Sequence, residues 1–126
     1  MLTSVSSDTK GALAYLDSSK NLFIASGSGQ TKNAVLDFSG GLISFDETYT
    51  VADFTDKREV LAVESATVGG TDYYKVLIKN TTSSASESTT AYETVNIKQS
   101  TMIVDWGTFS YYAVSYTHLT LPTINW

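Results

Sequence analysis

The sequence predicts an all-β fold made of antiparallel strands, and three observations support this prediction. Short runs rich in β-branched and aromatic residues recur along the chain, separated by clusters of Gly, Ser, Asn and Asp. In the clearest runs, apolar and polar side chains alternate, which is typical of strands buried on one face. The two halves of the chain also repeat the same order of runs and turns. We therefore expect an antiparallel meander of two four-stranded, repeat-like units, sandwich-like or blade-like.

The first unit, residues 11–50, contains four short apolar runs joined by turns. Residues 17–21 (Asp-Ser-Ser-Lys-Asn) separate the first two runs and predict a tight hairpin. Residues 39–41 (Ser-Gly-Gly) predict another hairpin turn, because glycine adopts positive φ without steric strain. The strands are expected at residues 13–16, 22–25, 34–38 and 42–45.

In the second unit, residues 59–112, the alternation is clearest at Tyr74, Val76 and Ile78, which share one face of a strand. Gly69-Gly70 predicts a turn before that strand, and the Ser/Thr-rich residues 81–90 are expected to form a loop. Repeated units a few tens of residues long are typical of architectures in which neighbouring units complete each other's core. The strands are expected at residues 60–63, 74–78, 92–98 and 102–106.

Composition and charge exclude several classes of function. The chain has 8 basic and 13 acidic side chains and a net charge of −5, which disfavours nucleic-acid binding. The basic residues are scattered, and their one adjacent pair, Lys57-Arg58, is expected in a solvated turn. No apolar run reaches membrane-spanning length, so we expect no membrane insertion. The first residues lack the basic and apolar regions of a signal peptide.

Residues 114–126 have a different origin from the rest of the chain. Residues 114–123 read Val-Ser-Tyr-Thr-His-Leu-Thr-Leu-Pro-Thr, which resembles one translated reading frame of the transposon-end adapter used to prepare DNA sequencing libraries. We therefore expect residues 1–113 to be the β-rich module, and residues 114–126 to be adapter read-through behind a truncated gene. This excludes His118, the one histidine, and Pro122, the one proline, from functional roles.

The remaining residue types favour a protein without catalytic activity or a cofactor. The chain has no cysteine, and without His118 its acids and bases are carboxylates, Lys and Tyr. The densest acidic group contains Asp46, Asp53 and Asp56, whose oxygens could bind Ca²⁺. Their spacing is not the alternating pattern of a calcium loop, which favours a turn capped by aspartate instead of a metal site.

Aromatic residues are the candidates for a binding surface. Tyr73-Tyr74 and Tyr111-Tyr112 are adjacent pairs, so the two members of each pair point to opposite faces of a strand. Exposed tyrosines at Tyr73 and Tyr111, together with Trp106, could stack on sugars or form an adhesive face. The alternative is that such residues cap a thin β core, and we expect this for Trp106 and Tyr74.

The second unit carries a distinctive pattern at residues 59–64 (Glu-Val-Leu-Ala-Val-Glu), 72–81 (Asp-Tyr-Tyr-Lys-Val-Leu-Ile-Lys-Asn-Thr) and 103–106 (Ile-Val-Asp-Trp). This pattern resembles repeat modules of very large cell-surface or secreted proteins of marine bacteria. It implies an extracellular or cell-surface, adhesin-like module whose partners are other repeats of the same polypeptide, with glycans or the cell surface as further partners. Those proteins often carry Asp/Gly-rich calcium loops, and this sequence has none.

The leading hypothesis is therefore a non-catalytic structural or adhesive module of a large bacterial surface protein. A structural protein of a phage virion is an alternative, because such proteins are also acidic, poor in cysteine and rich in β structure. A carbohydrate-binding module is a second alternative, since it would use the same exposed aromatic residues.

Overall fold

The computed structural model describes residues 1–5 and 12–114, and within them the chain forms antiparallel strands and no helix. The predicted all-β class is thereby confirmed. The described strands are β1 Thr3–Ser4, β2 Leu13–Leu16, β3 Leu22–Ala25, β4 Asn33–Ala34, β5 Glu47–Val51, β6 Phe54–Val68, β7 Thr71–Ser83, β8 Ser88–Lys98 and β9 Ile103–Val114.

The strands form two meanders in which each strand pairs with the next one along the chain. The first sheet has the order β1-β2-β3-β4, and the second has the order β5-β6-β7-β8-β9. The second sheet therefore has one strand more than the sequence predicts. The additional strand, β5, pairs with β6 from Glu47↔Arg58 to Val51↔Phe54, although residues 47–50 lie in the first predicted unit. The predicted tail is residues 114–126. Its first residue, residue 114, is the last residue of β9, and residues 115–126 lie outside the described residues.

The hairpin of β6 and β7 is the longest in the molecule, and its turn is the predicted one. Val68 pairs with Thr71, which leaves Gly69 and Gly70 as a two-residue loop. Both glycines have positive φ, 58° and 82°. A two-residue hairpin loop with positive φ at both positions matches the right-handed twist of the flanking strands.

The Ser/Thr-rich residues 81–90 are not the predicted loop. β7 runs to Ser83 and β8 begins at Ser88, so the connection is four residues long. Thr82 pairs with Thr89, and their hydroxyl groups are hydrogen-bonded across the two strands. The prediction failed because β-branched threonine suits a half-exposed strand, and such a run has no apolar alternation to reveal it.

Two turns in the first part of the chain, after β2 and after β4, have the same construction at positions 20 residues apart. Oδ1 of Asp17 accepts the backbone N–H groups of residues 19 and 21, and Oδ1 of Asp37 accepts those of residues 39 and 41, all at 2.9 Å. The fourth position has positive φ in each turn, 67° at Lys20 and 89° at Gly40. An aspartate that binds the backbone two residues ahead replaces a backbone turn, which explains why both segments reverse the chain.

The core lies between the two sheets. Each sheet contributes one apolar face, and residues of the connecting segment fill the space between them. This arrangement is that of a sandwich, in which each strand buries alternate side chains. The prediction that Tyr74 belongs to the core is confirmed, since it is 6% exposed. The buried cluster consists of Ala12, Ala14, Leu16, Leu22, Ile24, Val35, Phe45, Val60, Val63, Tyr74, Val76, Ile78, Val95, Ile97 and Val104.

A short parallel contact joins the two sheets along one side. The N–H of Leu36 donates to the carbonyl of Met102 at 2.8 Å, and the N–H of Val104 donates to the carbonyl of Leu36 at 3.0 Å. Leu36 therefore covers the outer side of β9 at its first residues. None of the described residues belongs to a helix long and apolar enough to cross a membrane.

Candidate interaction surface

The outer side of β9 is an unpaired edge of the second sheet over most of its length. β9 ends the strand order of its sheet, so β8 occupies one side of it. On the other side, Leu36 pairs near Ile103, and from residue 105 to residue 114 none of the described strands is paired there. An unpaired strand edge presents backbone N–H and C=O groups that another strand can bind.

A wide bulge shapes the middle of β9. Asn96 pairs with Asp105 and Thr94 pairs with Ser110, so four residues of β9, 106–109, lie opposite the single residue 95 of β8. The Thr108 hydroxyl accepts the backbone N–H of Asn96 at 2.8 Å and donates to the carbonyl of Asp105 at 2.6 Å. Thr108 therefore replaces the ladder hydrogen bond that the bulge removes, and the bulge is held in one conformation.

The bulge places Trp106 at the surface, and the prediction that this residue belongs to the core is wrong. Its side chain is 52% exposed, whereas Phe45, which contacts it, is 7% exposed. The two ring centroids are 6.0 Å apart and the rings are inclined by 57°. Trp106 thus has one side of its ring anchored on the core and the other open to solvent, because the extra residues of the bulge displace it outward.

Three more aromatic side chains follow on the same strand. Phe109, Tyr111 and Tyr112 are each between two-fifths and three-fifths exposed. Tyr111 pairs with Glu93 on the face that carries the core, and Tyr112 pairs with Tyr92 on the opposite face. Tyr111 is exposed because the small sheet does not cover this end of β9, whereas Tyr112 is exposed because it lies on the face that points away from the core. We define the β9 surface as Trp106, Phe109, Tyr111 and Tyr112.

The β9 surface carries no charge of its own. Residues 106–114 read Trp-Gly-Thr-Phe-Ser-Tyr-Tyr-Ala-Val, without an acidic or basic side chain. The opposite edge strand, β5, is five residues long and begins with Glu47. Charged side chains and short length are the usual means by which an edge strand avoids other strands. From residue 106 onward β9 has no charged side chain, and at 12 residues it is the longer of the two edge strands, so it is the edge better suited to binding.

Next to the β9 surface lies an ion pair that the sequence does not reveal. Arg58 Nε donates to Glu93 Oε1 at 2.9 Å and Arg58 Nη2 donates to Glu93 Oε2 at 3.2 Å. The Glu93 side chain is 3% exposed and that of Arg58 is 33% exposed. This hydrogen bond raises the pKa of Arg58. The predicted solvated turn at Lys57-Arg58 is therefore wrong: both residues lie within β6.

The ion pair extends into a small polar network. Arg58 also donates to Asp56 Oδ2 at 3.3 Å, and Asn80 Nδ2 donates to Asp56 Oδ1 at 2.5 Å. Cross-strand pairing places these side chains on one face of the sheet, which Glu93 shares with Val95 and Ile97. A carboxylate at an apolar position of an alternating strand is the one sequence signal that could have revealed the network.

The three candidate calcium ligands have separate environments. Asp46 Oδ1 accepts the backbone N–H of Val60 at 2.8 Å, whereas Asp56 binds Arg58 and Asn80. Asp53 lies in the exposed turn between β5 and β6. Burial raises the pKa of Asp46, and the hydrogen bond from Val60 opposes that shift. Across residues 1–5 and 12–114, no three His, Cys, Asp or Glu side chains converge on a common point.

Tyr73, the remaining predicted surface residue, lies on β7, two strands away from β9. It pairs with Lys98 near the Gly69-Gly70 end of β7 and is partly buried. The structure therefore brings Trp106 and Tyr111 onto one strand and leaves Tyr73 apart. Phe109 and Tyr112 are additional members that the sequence does not single out. Alternation predicts one exposed residue of the Tyr111-Tyr112 pair, and the position of Phe109 depends on the bulge.

Comparison of the chain with protein-family models, with curated proteins and with solved structures gives no match in any of the three.

Proposed function

We propose that this chain is a non-catalytic structural or adhesive module of a large bacterial extracellular or cell-surface protein, and that it acts through the β9 surface. The observation that carries the proposal is an edge strand that has no charge from residue 106 to residue 114 and exposes four aromatic side chains. Exposed apolar side chains along an unpaired strand edge commonly mark a site of protein interaction. Aromatic side chains supply much of the binding energy at such sites.

The polar groups beside this surface support a scaffold role. Asp56 and Glu93 direct their oxygens to Arg58, and Asp56 also accepts from Asn80. A carboxylate that is already paired and hydrogen-bonded holds strands in register and is poorly placed to exchange a proton with a substrate. The network therefore fixes β6, β7 and β8 relative to one another behind the β9 surface.

Sequencing the complete reading frame that encodes this chain would test the proposal. We expect further copies of the pattern at residues 74–81, Tyr-Lys-Val-Leu-Ile-Lys-Asn-Thr, each followed by an Asp-Trp strand, together with a secretion signal. A short, complete reading frame beside capsid or tail genes would refute the proposal and indicate a phage virion protein.

A carbohydrate-binding module is the second candidate, and the half-exposed ring of Trp106 favours it. Sugars stack on aromatic rings that have one open face. The chain has two tryptophans, so a Trp126→Phe variant leaves Trp106 as the one indole emitter. Titration of that variant with soluble polysaccharides should change its fluorescence, and Tyr111→Ala should weaken the change. Unchanged emission across the panel would remove this candidate.

A further inference from the structure

We infer that the outer edge of β9 binds an extended basic peptide, which adds to the second sheet as a further strand. The inference rests on the proposed function, because it names the class of partner that the β9 surface takes. From residue 105 to residue 114, none of the described strands pairs with this edge. That stretch is long enough for a peptide strand of ordinary length, about five or six residues. Its backbone supplies the hydrogen-bonding groups that strand addition requires.

The structure already contains one backbone contact of this kind. Leu36 lies outside the strands of the second sheet, yet its N–H donates to Met102 at 2.8 Å and its carbonyl accepts from Val104 at 3.0 Å. It runs parallel to β9 beside Ile103, and the chain then turns away at residues 37–41. The edge therefore binds extended backbone from outside its own sheet, and that pairing ends after a single residue. An added peptide strand extends the same pairing along the rest of β9.

Exposed aromatic side chains border the edge where the Leu36 contact ends. Phe38, in the turn that follows Leu36, is 87% exposed, the largest exposed fraction of any aromatic side chain in residues 1–5 and 12–114. Trp106 and Phe109, in the bulge of β9, are 52% and 43% exposed. Apolar side chains at alternate positions of an added strand would remove part of these rings from water. This burial adds to the backbone hydrogen bonds of the edge.

Charge favours a basic peptide over other partners. Residues 33–46 and 103–114, the two segments that border the edge, contain three charged side chains, and all are carboxylates: Asp37, Asp46 and Asp105. The hydroxyl of Ser39 and the N–H of Gly41 lower the pKa of Asp37, so its carboxylate is charged at neutral pH. The net charge of −5 also attracts cations at longer range. A second copy of the chain carries the same net charge and is repelled.

Fluorescence anisotropy of labelled synthetic peptides measures the binding. The probe is a peptide of alternating lysine and valine, about eight residues long, titrated with the full chain at low ionic strength. We expect a dissociation constant on the order of 10–100 µM, which rises as salt is added. The peptide with glutamate in place of lysine should bind at least about tenfold more weakly. A lysine–valine peptide with methylated backbone nitrogens keeps its side chains but cannot donate N–H groups, and it should also lose about tenfold.

Two pairs of variants locate the peptide on the chain. Phe38→Ser should weaken binding by about fivefold, whereas its matched control Tyr49→Ser, at a 61% exposed residue of the β5 edge, should not. Asp105→Asn keeps an oxygen that accepts the N–H of Gly107, and it should weaken binding by about threefold. Its matched control is Asp53→Asn, in the turn between β5 and β6, which should change the affinity by less than about twofold. Circular dichroism of each variant confirms that it remains folded.

Any of four results would overturn the inference. The first three are no binding at millimolar peptide, equal affinity for the lysine and glutamate peptides or for the methylated peptide, and equal effects of Phe38→Ser and Tyr49→Ser. The fourth is a dimer of the chain alone in sedimentation that Phe38→Ser disrupts, which would assign the edge to a second copy. None of these results bears on the reading-frame test, so a failure of the peptide site and a failure of the proposed function are distinguishable.

Discussion

The ion pair of Arg58 and Glu93 gives the sharpest prediction about stability. Arg58 donates two hydrogen bonds to a carboxylate that is 3% exposed, while the guanidinium itself is 33% exposed. The perturbation is Arg58→Met, which keeps most of the side-chain volume and removes the charge. Glu93 then remains in the interior without its cation, and water has little access to it.

The expected loss follows from the burial of the two groups. Removing one partner of a fully buried ion pair destabilises a protein by about 3–5 kcal/mol. Arg58 is one-third exposed, and solvent screens part of its interaction, so we expect about 2–3 kcal/mol for Arg58→Met. For a domain of this size, that loss lowers the melting temperature by about 10 °C.

Substitution of the other partner, Glu93, should destabilise the protein less. In Glu93→Leu, Arg58 keeps its hydrogen bond to Asp56 and can turn towards solvent, so we expect a loss of about 1 kcal/mol. The double variant Arg58→Met/Glu93→Leu has an apolar pair in place of the ions, and its stability should lie within about 1 kcal/mol of the unmodified chain. Adding Glu93→Leu should therefore restore most of the stability that Arg58→Met loses.

Urea unfolding followed by far-ultraviolet circular dichroism measures all of these free energies. Lys57→Met is the matched control, because Lys57 is the adjacent basic residue on the opposite, exposed face of β6. Its effect should lie within about 0.5 kcal/mol of zero. The reasoning fails if Arg58→Met behaves like Lys57→Met, or if the double variant is as unstable as Arg58→Met alone.

Three further predictions concern the turns and the core. Lys20 has a φ of 67°, and the equivalent position of the Asp37 turn is Gly40. Because glycine adopts positive φ without strain, Lys20→Gly should raise the free energy of unfolding by about 0.5–1 kcal/mol, seen as a higher urea midpoint. Burial raises the pKa of Asp46, so the charged carboxylate destabilises the folded state at neutral pH. This destabilisation disappears as pH falls and the carboxyl group becomes protonated. Asp46→Asn, whose Oδ1 can still accept from Val60, should therefore gain stability at neutral pH relative to the unmodified chain, and the gain should vanish in acid; a pH series of urea melts checks this. Phe45→Ala should lose about 3–4 kcal/mol in the same melts and red-shift the emission of Trp106, because the indole loses the ring that covers it.

The pH dependence of stability at Asp37 should have the opposite sign to that at Asp46. The hydroxyl and backbone N–H groups of Ser39 and the N–H of Gly41 lower the pKa of Asp37. Its stabilising contribution is therefore present above the ordinary carboxyl pKa and is lost as pH falls through the lowered value. Asp37→Ala should lower the urea midpoint at neutral pH and approach the unmodified chain in acid. A deficit that does not change with pH would contradict the assignment.

Much of the strand pattern could be predicted because it depends on local chemistry. The turns at residues 17–21, 39–41 and 69–70 are where the sequence places them, since aspartate binding to its own backbone and glycine at positive φ act within a few residues. The burial of Tyr74 follows from its place in a run of alternating apolar side chains. The strands at residues 81–90 were missed because threonine and serine runs have no such alternation.

The candidate surface depended on contacts that no short window of sequence contains. Trp106 and Tyr74 both occupy apolar runs, yet Tyr74 lies over the small sheet and Trp106 lies in the bulge of an edge strand. Arg58 and Glu93 are 35 residues apart, and their meeting depends on the registers of β6 with β7 and of β7 with β8.

The sequence by itself determined the class of fold, the positions of the glycine and aspartate turns, and the absence of charge from residues 106–114. The tertiary structure decided which strands became edges, where the bulge displaced Trp106, and how much of the outer edge of β9 remained unpaired. The physical reason is the range of the forces involved. Turn and strand preferences are local, whereas an edge exists only after every other strand has found its neighbour.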